Sequence, residues 1–318
     1  VRLWRHMRLL WPRWTLLPVA PFVLWTLFWV FRGQVRWDHM AVCAVAAVTA
    51  YGTRTSKRLF YGILPLGIVG LLYDAMRFVK DVGLSETTVH VCDLREIEMR
   101  LFGVTVDGVR QTLHDYAQLH ARAWMDAVFA IPYGMFLYAV FGFAVYLFVK
   151  DYSAALRFTW GFLALNVLGF ATYHVYPAAP PWYFHDYGCV VDLSASASPG
   201  PNLLRVDRMM GLAYFSGFYG RSSDVFGAVP SLHVAYPLLM IIEGWSRRGV
   251  ALRGGLIAFY LWMCAAAVYL DHHWVVDIVL GSLYTIAVAV AMRQVPRLAS
   301  SAAQSLGSQR DGHSSASV

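Results

Sequence analysis

The sequence predicts an all-α protein that crosses a lipid bilayer several times. Three observations lead there. Hydrophobic residues make up 58% of the chain and charged residues only 14%, with a mean hydropathy of +0.50; that is too apolar for a globule with an ordinary water-facing surface. Apolar stretches recur at the length of about 20 residues that a helix needs to cross roughly 30 Å of hydrocarbon. Basic residues gather on alternate connections between those stretches, as they do in multi-pass proteins.

Taken in order, the stretches fall at 14–32, 38–52, 59–79, 126–149, 155–176, 229–246, 252–270 and 274–293. The second is shorter than the rest, and together they read as about eight spans. Segments 82–124 and 177–228 are too polar, or too rich in Pro, Gly and Ser, to span, and are expected to be loops or interfacial pieces. Residues 1–123 are therefore assigned to N-terminal helices plus an extracytoplasmic loop, 124–297 to the main membrane domain, and 298–318 to a disordered cytoplasmic tail. The charged start resembles a signal peptide, but "WVFRGQVRW" (29–37) has no small-residue cleavage site, so a retained first helix is expected.

Orientation follows from Arg2, Arg5, Arg8 and Arg13, then Arg54, Lys57 and Arg58, then Lys150 and Arg157, then Arg247, Arg248 and Arg253, then Arg293 and Arg297. The alternate short connections carry only Arg32 and Arg36. Both termini are thus expected in the cytoplasm and both long loops on the far side. The net charge of +7 and pI near 9.3 are explained the same way, which removes the case for a nucleic-acid partner. Cys43 and Cys264 lie inside spans; Cys92 and Cys189 share the extracytoplasmic side and read as two unpaired thiols, with a disulfide as the alternative.

Chemistry concentrates in two stretches. In "YLDHHWVVD" (269–277), His273 and Asp277 stand four apart, which on a helix puts both on one face with Cβ atoms about 5–6 Å apart. A carboxylate so placed can accept the proton of one imidazole nitrogen and leave the other as a nucleophile. His272 points elsewhere, as an interfacial residue or a supporting hydrogen-bond partner. In "FGAVPSLH" (226–233), His233 opens the sixth span at the same membrane face as the start of the eighth. A structural polar clamp between helices is the competing reading, but ionisable groups in spans by default mark function. Two histidines and an aspartate suit phosphoryl transfer, one histidine as nucleophile and the other as general acid and then base. A His/His/Asp metal site has usable ligand types but no recognisable zinc spacing, so no metal and no cofactor is expected.

"PSLH" followed by His-x-x-x-Asp resembles the PAP2 (type 2 phosphatidic acid phosphatase) superfamily. "YPAAPPWY" (176–183), "SPGPNLLRVDRMMG" (198–211), "FGAVPSLH" and "YLDHHWVVD", in that order, resemble the inositol phosphorylceramide synthases, the aureobasidin-resistance inositolphosphotransferases. The likeness is strong over 172–285; "LLYDAMR" (71–77) and "EIEMRLFG" (96–103) are weaker matches. It implies a six-helix core, a site at the lumenal or periplasmic face, no metal requirement, and a triad on His233, His273 and Asp277.

Departures from the phosphatases matter. Their arginine six residues before the nucleophile is Ala267 here, and Lys150 with Arg157, at the spacing of their earlier basic motif, fall on the wrong side of the membrane. Fewer cations suit a singly charged diester better than a phosphomonoester. Arg205 is the candidate phosphate partner, with Arg208 and Arg221 as alternatives on the same loop. Trp182 and Tyr183, on a stiff proline-rich segment, are expected to line the lipid site with Ser231. Asp74 and Arg77 read as a structural intramembrane ion pair.

The expected function is transfer of an inositol-phosphate-type headgroup from a phospholipid such as phosphatidylinositol to a lipid hydroxyl such as ceramide, through a phosphohistidine. The alternatives are a PAP2-type lipid phosphatase, in which water resolves the intermediate, and a non-catalytic lipid-binding or transport protein. The expected partners are a phospholipid donor, a lipid acceptor and the bilayer; the sequence identifies no protein partner. The expected location is a bacterial inner or plasma membrane.

Overall fold

The computed structural model describes residues 2–13, 15–195, 200–219, 224–245 and 249–314, with side chains described up to residue 294. Arg221, Arg247 and Arg248 lie outside the described residues. In chain order the elements are α1 (Arg2–Leu10), α2 (Ala20–Phe31), α3 (Trp37–Tyr51), α4 (Arg54–Val79), α5 (Cys92–Phe102), β1 (Val104–Val106), β2 (Val109–Gln111), α6 (Leu113–Leu119), α7 (Ala123–Lys150), α8 (Tyr152–Val175), α9 (Pro181–Tyr187), α10 (Leu203–Met210), α11 (Tyr214–Tyr219), α12 (Leu232–Gly244), α13 (Val250–Tyr269) and α14 (Val275–Ser314).

The architecture is the expected all-α multi-pass one, with a different length distribution among the spans. Among the described residues, α4, α7, α8, α13 and the first half of α14 are long and apolar enough to cross a membrane. The other three expected spans form shorter helices. Pro18 and Pro21 confine the 14–32 stretch to the 12-residue α2, and Pro230 delays the 229–246 stretch until Leu232, leaving the 13-residue α12. At helical rise each of these is about 20 Å long, short of the bilayer core. The α3 helix has 15 residues. At the other end α14 runs from Val275 to Ser314.

The main core lies among α7, α8, α12, α13 and α14, around Tyr133, Phe158, Leu165, Val234 and Met263. A smaller core joins α2, α3 and α4 through Phe22, Ala46, Ala50 and Phe60. Asp74 of α4 meets Arg77, accepts from Trp25 Nε1 at 3.0 Å and pairs with Arg36 Nη1 at 3.4 Å, a structural ion cluster as expected.

The two polar segments fold together into a cap over one end of the bundle. The cap contains α5, the β1–β2 hairpin turned by Asp107 (φ +51°) and Gly108 (φ +79°), α6 and α9; two left-handed residues suit the tight hairpin turn. Residues 178 and 179 are stitched between two other segments: Ala178 donates to Phe226 O at 2.8 Å and accepts from Ala228 N at 3.1 Å, while Ala179 N donates to His90 O at 2.8 Å. A disulfide joins Cys92 to Cys189, which corrects the unpaired-thiol expectation. The cap brings together two cysteines 97 residues apart, a proximity that spacing alone does not reveal.

Candidate active site

His233, His273 and Asp277 meet beneath the cap. His233 is the second residue of α12, and Asp277 lies in the first turn of α14. His273 stands in the turn before α14, so the two do not share a helix as the four-residue spacing predicted. The reason is local: Asp277 Oδ2 accepts from Trp274 N at 2.9 Å, the reach of a third-position carboxylate back to the N-cap amide. The chain reverses at Asp271, in the left-handed region at φ +66°, which Asp tolerates better than most residues.

The hydrogen bonds fix the tautomers. His273 Nδ1 lies 3.0 Å from Ala228 O and 3.6 Å from Asp277 Oδ2. A carbonyl oxygen only accepts, so Nδ1 carries the proton and Nε2 keeps its lone pair. That Nε2 is 3.1 Å from His233 Nδ1, which must then be the donor. At 3.6 Å Asp277 acts on the imidazole as a nearby charge, and the orienting bond comes from the backbone. His273 is 6% exposed and Asp277 fully buried, so their interaction is little screened by water.

Two helices are locked in register behind this pair. Ser231 N donates to Asp277 O at 3.0 Å, and Thr285 Oγ1 donates to Ala235 O at 3.3 Å. Gly281 lets the helices approach; a Cβ there would stand 2.3 Å from Ser231 O. On the opposite side, α7 packs Tyr133 and Phe136 against the His233 ring at centroid distances of 4.8 and 4.9 Å. The His272 ring meets that of Tyr133 at a centroid distance of 4.5 Å and a tilt of 44°, its Nε2 buried without a partner among the described residues. Burial pulls its imidazole down to about 3, so it is neutral.

The remaining predicted residues sit around this centre in different ways. Ser231 is fully buried and contributes its backbone. Tyr183 is fully buried too, with its hydroxyl taken by Val190 O (3.1 Å) and the amide of Asp192 (2.7 Å). Trp182 is half-buried and donates its amide to Asp271 O at 3.1 Å. Arg205 Nη2 pairs with Asp126 at 2.7 Å and Nη1 donates to Gln118 Oε1 at 3.0 Å; Tyr269 also donates to Asp126, at 2.9 Å. Exposed Arg208 reaches Leu204 O of its own helix. Ala267 is buried in α13, where a long cation has no room. Arg157 belongs to a different cluster, bonded to buried Glu243 at 2.8 Å, with Arg293 on the other oxygen at 3.2 Å.

Sequence reasoning missed a second set of buried ionisable residues beside the triad: Glu98, His114 and Asp271, with His185 and Asp115 at their edge. Asp271 stands inside the motif already singled out, two residues before His273, and an acidic residue there was the available signal. Glu98 stood in "EIEMRLFG", a weak family match given no role, and His114 in a segment read as loop or interfacial piece.

A helical membrane bundle that presents a paired histidine couple and a buried aspartate at one end defines a phosphoryl-transfer class of membrane enzyme. The model of the PAP2 superfamily matches residues 111–291, which include all three residues. The chain belongs to that superfamily. It is 34% identical over 252 residues to the phosphoinositol dihydroceramide synthase of Bacteroides thetaiotaomicron, covering 78% of this chain and 81% of the relative. It is 28% identical over 267 residues to the inositol phosphorylceramide synthase catalytic subunit of Saccharomyces cerevisiae, covering 83% of this chain and 60% of the relative. With the corresponding subunit of Schizosaccharomyces pombe it shares 26% over 251 residues, 77% of this chain and 56% of that one. The chain thus spans less than two thirds of these fungal relatives. No solved structure matches it.

Proposed function

We propose that this protein transfers inositol phosphate from a phosphatidylinositol-type lipid to the hydroxyl of a ceramide-type lipid. One observation carries the chemistry: His273 Nε2, deprotonated because Nδ1 bonds the Ala228 carbonyl, faces His233 at 3.1 Å. Two relatives covering most of this chain, named as a phosphoinositol dihydroceramide synthase and an inositol phosphorylceramide synthase subunit, support the substrate pair.

In the first half-reaction the donor phosphate separates the two rings. His273 Nε2 attacks phosphorus, the phosphorus–oxygen bond to diacylglycerol breaks, and protonated His233 gives its proton to the leaving oxygen. The inositol phosphate is now bonded to His273, whose positive charge Asp277 stabilises. In the second half-reaction His233 takes the proton of the acceptor hydroxyl, whose oxygen attacks phosphorus and releases His273. The burial of His273 and Asp277 beneath the cap limits the water that could compete with the acceptor. Arg205 supplies positive charge towards the phosphoryl oxygens from its place on Asp126, and Trp182 forms a wall of the lipid site.

The site faces the extracytoplasmic side of a bacterial membrane, with both termini inside. The basic residues support this orientation, and the Cys92–Cys189 bond on the cap fits an oxidising compartment.

The test incubates purified protein with phosphatidylinositol and ceramide in mixed micelles containing EDTA, follows products by mass spectrometry, and compares the wild type with His273→Ala. Inositol phosphorylceramide plus diacylglycerol from the wild type alone is the expected result. Release of inorganic phosphate from phosphatidic acid, with no transfer product, would replace this reading with a lipid phosphatase.

A further inference from the structure

The turn that carries His273 is held from above by buried acids and imidazoles of the cap. Glu98 of α5, fully buried, accepts from Val275 N and Val276 N at 3.2 Å each, the first amides of α14, which have no partner inside the helix. Asp271 accepts from His185 of α9 through Oδ2, and its Oδ1 lies 3.3 Å from His114 Nδ1 of α6 without the geometry of a hydrogen bond. His114 Nε2 is 3.9 Å from Glu98, which closes the set. On the outer side His185 Nε2 lies 3.0 Å from Asp115, and Asp115 pairs with Arg95 at 2.9 Å.

We propose that Glu98 and Asp271 are positioning residues for phosphoryl transfer, bolting the nucleophile's turn to the extracytoplasmic cap. The inference rests on the assigned reaction centre. Between the residues they hold, 271 to 276, lies His273, and a displacement of about 1 Å there is enough to cost about a hundredfold in rate. Burial of an unpaired amide or carboxylate is costly, so each partner constrains the turn strongly.

His185 couples this clamp to pH. Both its nitrogens face carboxylates, which only accept, so it must carry two protons to satisfy them. The groups facing it are Asp115 from α6 and Asp271 from the turn, with Arg95 of α5 behind Asp115, Asp186 beside it in α9, and His114 and Glu98 beyond Asp271. The bonds to Asp115 and Asp271 push the His185 imidazole up to about 9. Burial alone would raise the Asp271 carboxyl, but the His114 and His185 imidazoles bring it below its usual value. The folded-state value of His185 is raised, so the clamp is complete below the unfolded value near 6.5 and is lost as pH rises through about 9.

The experiment compares wild type, Glu98→Gln, Asp271→Asn and His185→Gln in detergent. It measures kcat and KM against pH, thermal melting, and binding of orthovanadate as a lipid-free probe of the histidine pair. Expected are cooperative melting transitions, KM within about twofold, and kcat and vanadate affinity down at least about tenfold for Glu98→Gln and Asp271→Asn. His185→Gln should lower kcat and abolish the fall above about pH 9 that is expected of the wild type. Folded Glu98→Gln and Asp271→Asn variants with kcat and vanadate affinity within about twofold of wild type would overturn the proposal. If either of those variants fails to fold, half-exposed His185 decides: a wild-type kcat and pH profile in His185→Gln overturns it. Wild-type protein that binds vanadate through His273 yet moves no inositol phosphate would refute the substrates, and the vanadate comparison would still judge the clamp.

Discussion

His233 Nδ1 stands 3.1 Å from His273 Nε2, a direct contact between the two rings at the reaction centre. The contact makes His233 the donor and His273 the acceptor, the roles that acid and nucleophile need. His233→Gln keeps a polar side chain but cannot shuttle a proton, so kcat should fall about 10²- to 10⁴-fold. His273→Ala should leave no transfer at all, and steady-state assays of the two variants check both expectations.

Asp277 is expected to matter less than a carboxylate that alone orients its histidine. Because Ala228 O already fixes the His273 tautomer, Asp277→Asn removes charge stabilisation but not orientation. A kcat loss of about a hundredfold is expected, against about 10⁴ where the acid sets the tautomer. A loss as complete as that of His273→Ala would assign the orienting role to Asp277.

Gly281→Ala should damage activity without touching a reacting group. The new Cβ would lie 2.3 Å from Ser231 O, so α12 and α14 must part and carry His233 away from His273. At least about a tenfold loss of kcat, with a lower melting temperature, is the expected outcome.

Arg205 and Arg208 share α10 but differ in surroundings. Arg205 is anchored to Asp126 and Gln118, while Arg208 is exposed and, among the described residues, bonds its own helix. Arg205→Ala is expected to lower kcat/KM at least about tenfold, and Arg208→Ala to change it less than about twofold, in donor titrations.

The Cys92–Cys189 bond closes a loop of 97 residues. Replacing both cysteines with serine should destabilise the cap by about 2–5 kcal/mol and lower the melting temperature. Reductant should lower that of the wild type to match and leave the variant unchanged.

The parts of this molecule that were legible from sequence are those whose signals are local. Apolar run length located the membrane helices, and His233, His273 and Asp277 stood out as ionisable residues at the starts of two apolar stretches. Proline positions shortened α2 and α12 more than run length alone conveys. The Ala228 carbonyl as the orienting partner of His273 was not legible, because any residue supplies a carbonyl and only the fold aims it. Glu98, His114 and His185 were hidden for a related reason: they reach the site from positions 88 to 175 residues away in the chain, where no periodicity links them to His273. The Cys92–Cys189 pair was ambiguous until the cap brought its ends together.

The central claim is that His273 carries the phosphoryl group between two lipids. Its most direct test gives purified protein the phosphatidylinositol donor without an acceptor, quenches at neutral to alkaline pH, where phosphohistidine survives, and maps the peptides by mass spectrometry. The account predicts one released diacylglycerol per active site and an inositol phosphate adduct on His273, discharged when ceramide is added. Transfer at full rate with no adduct on His273, or an adduct on another residue, would contradict it.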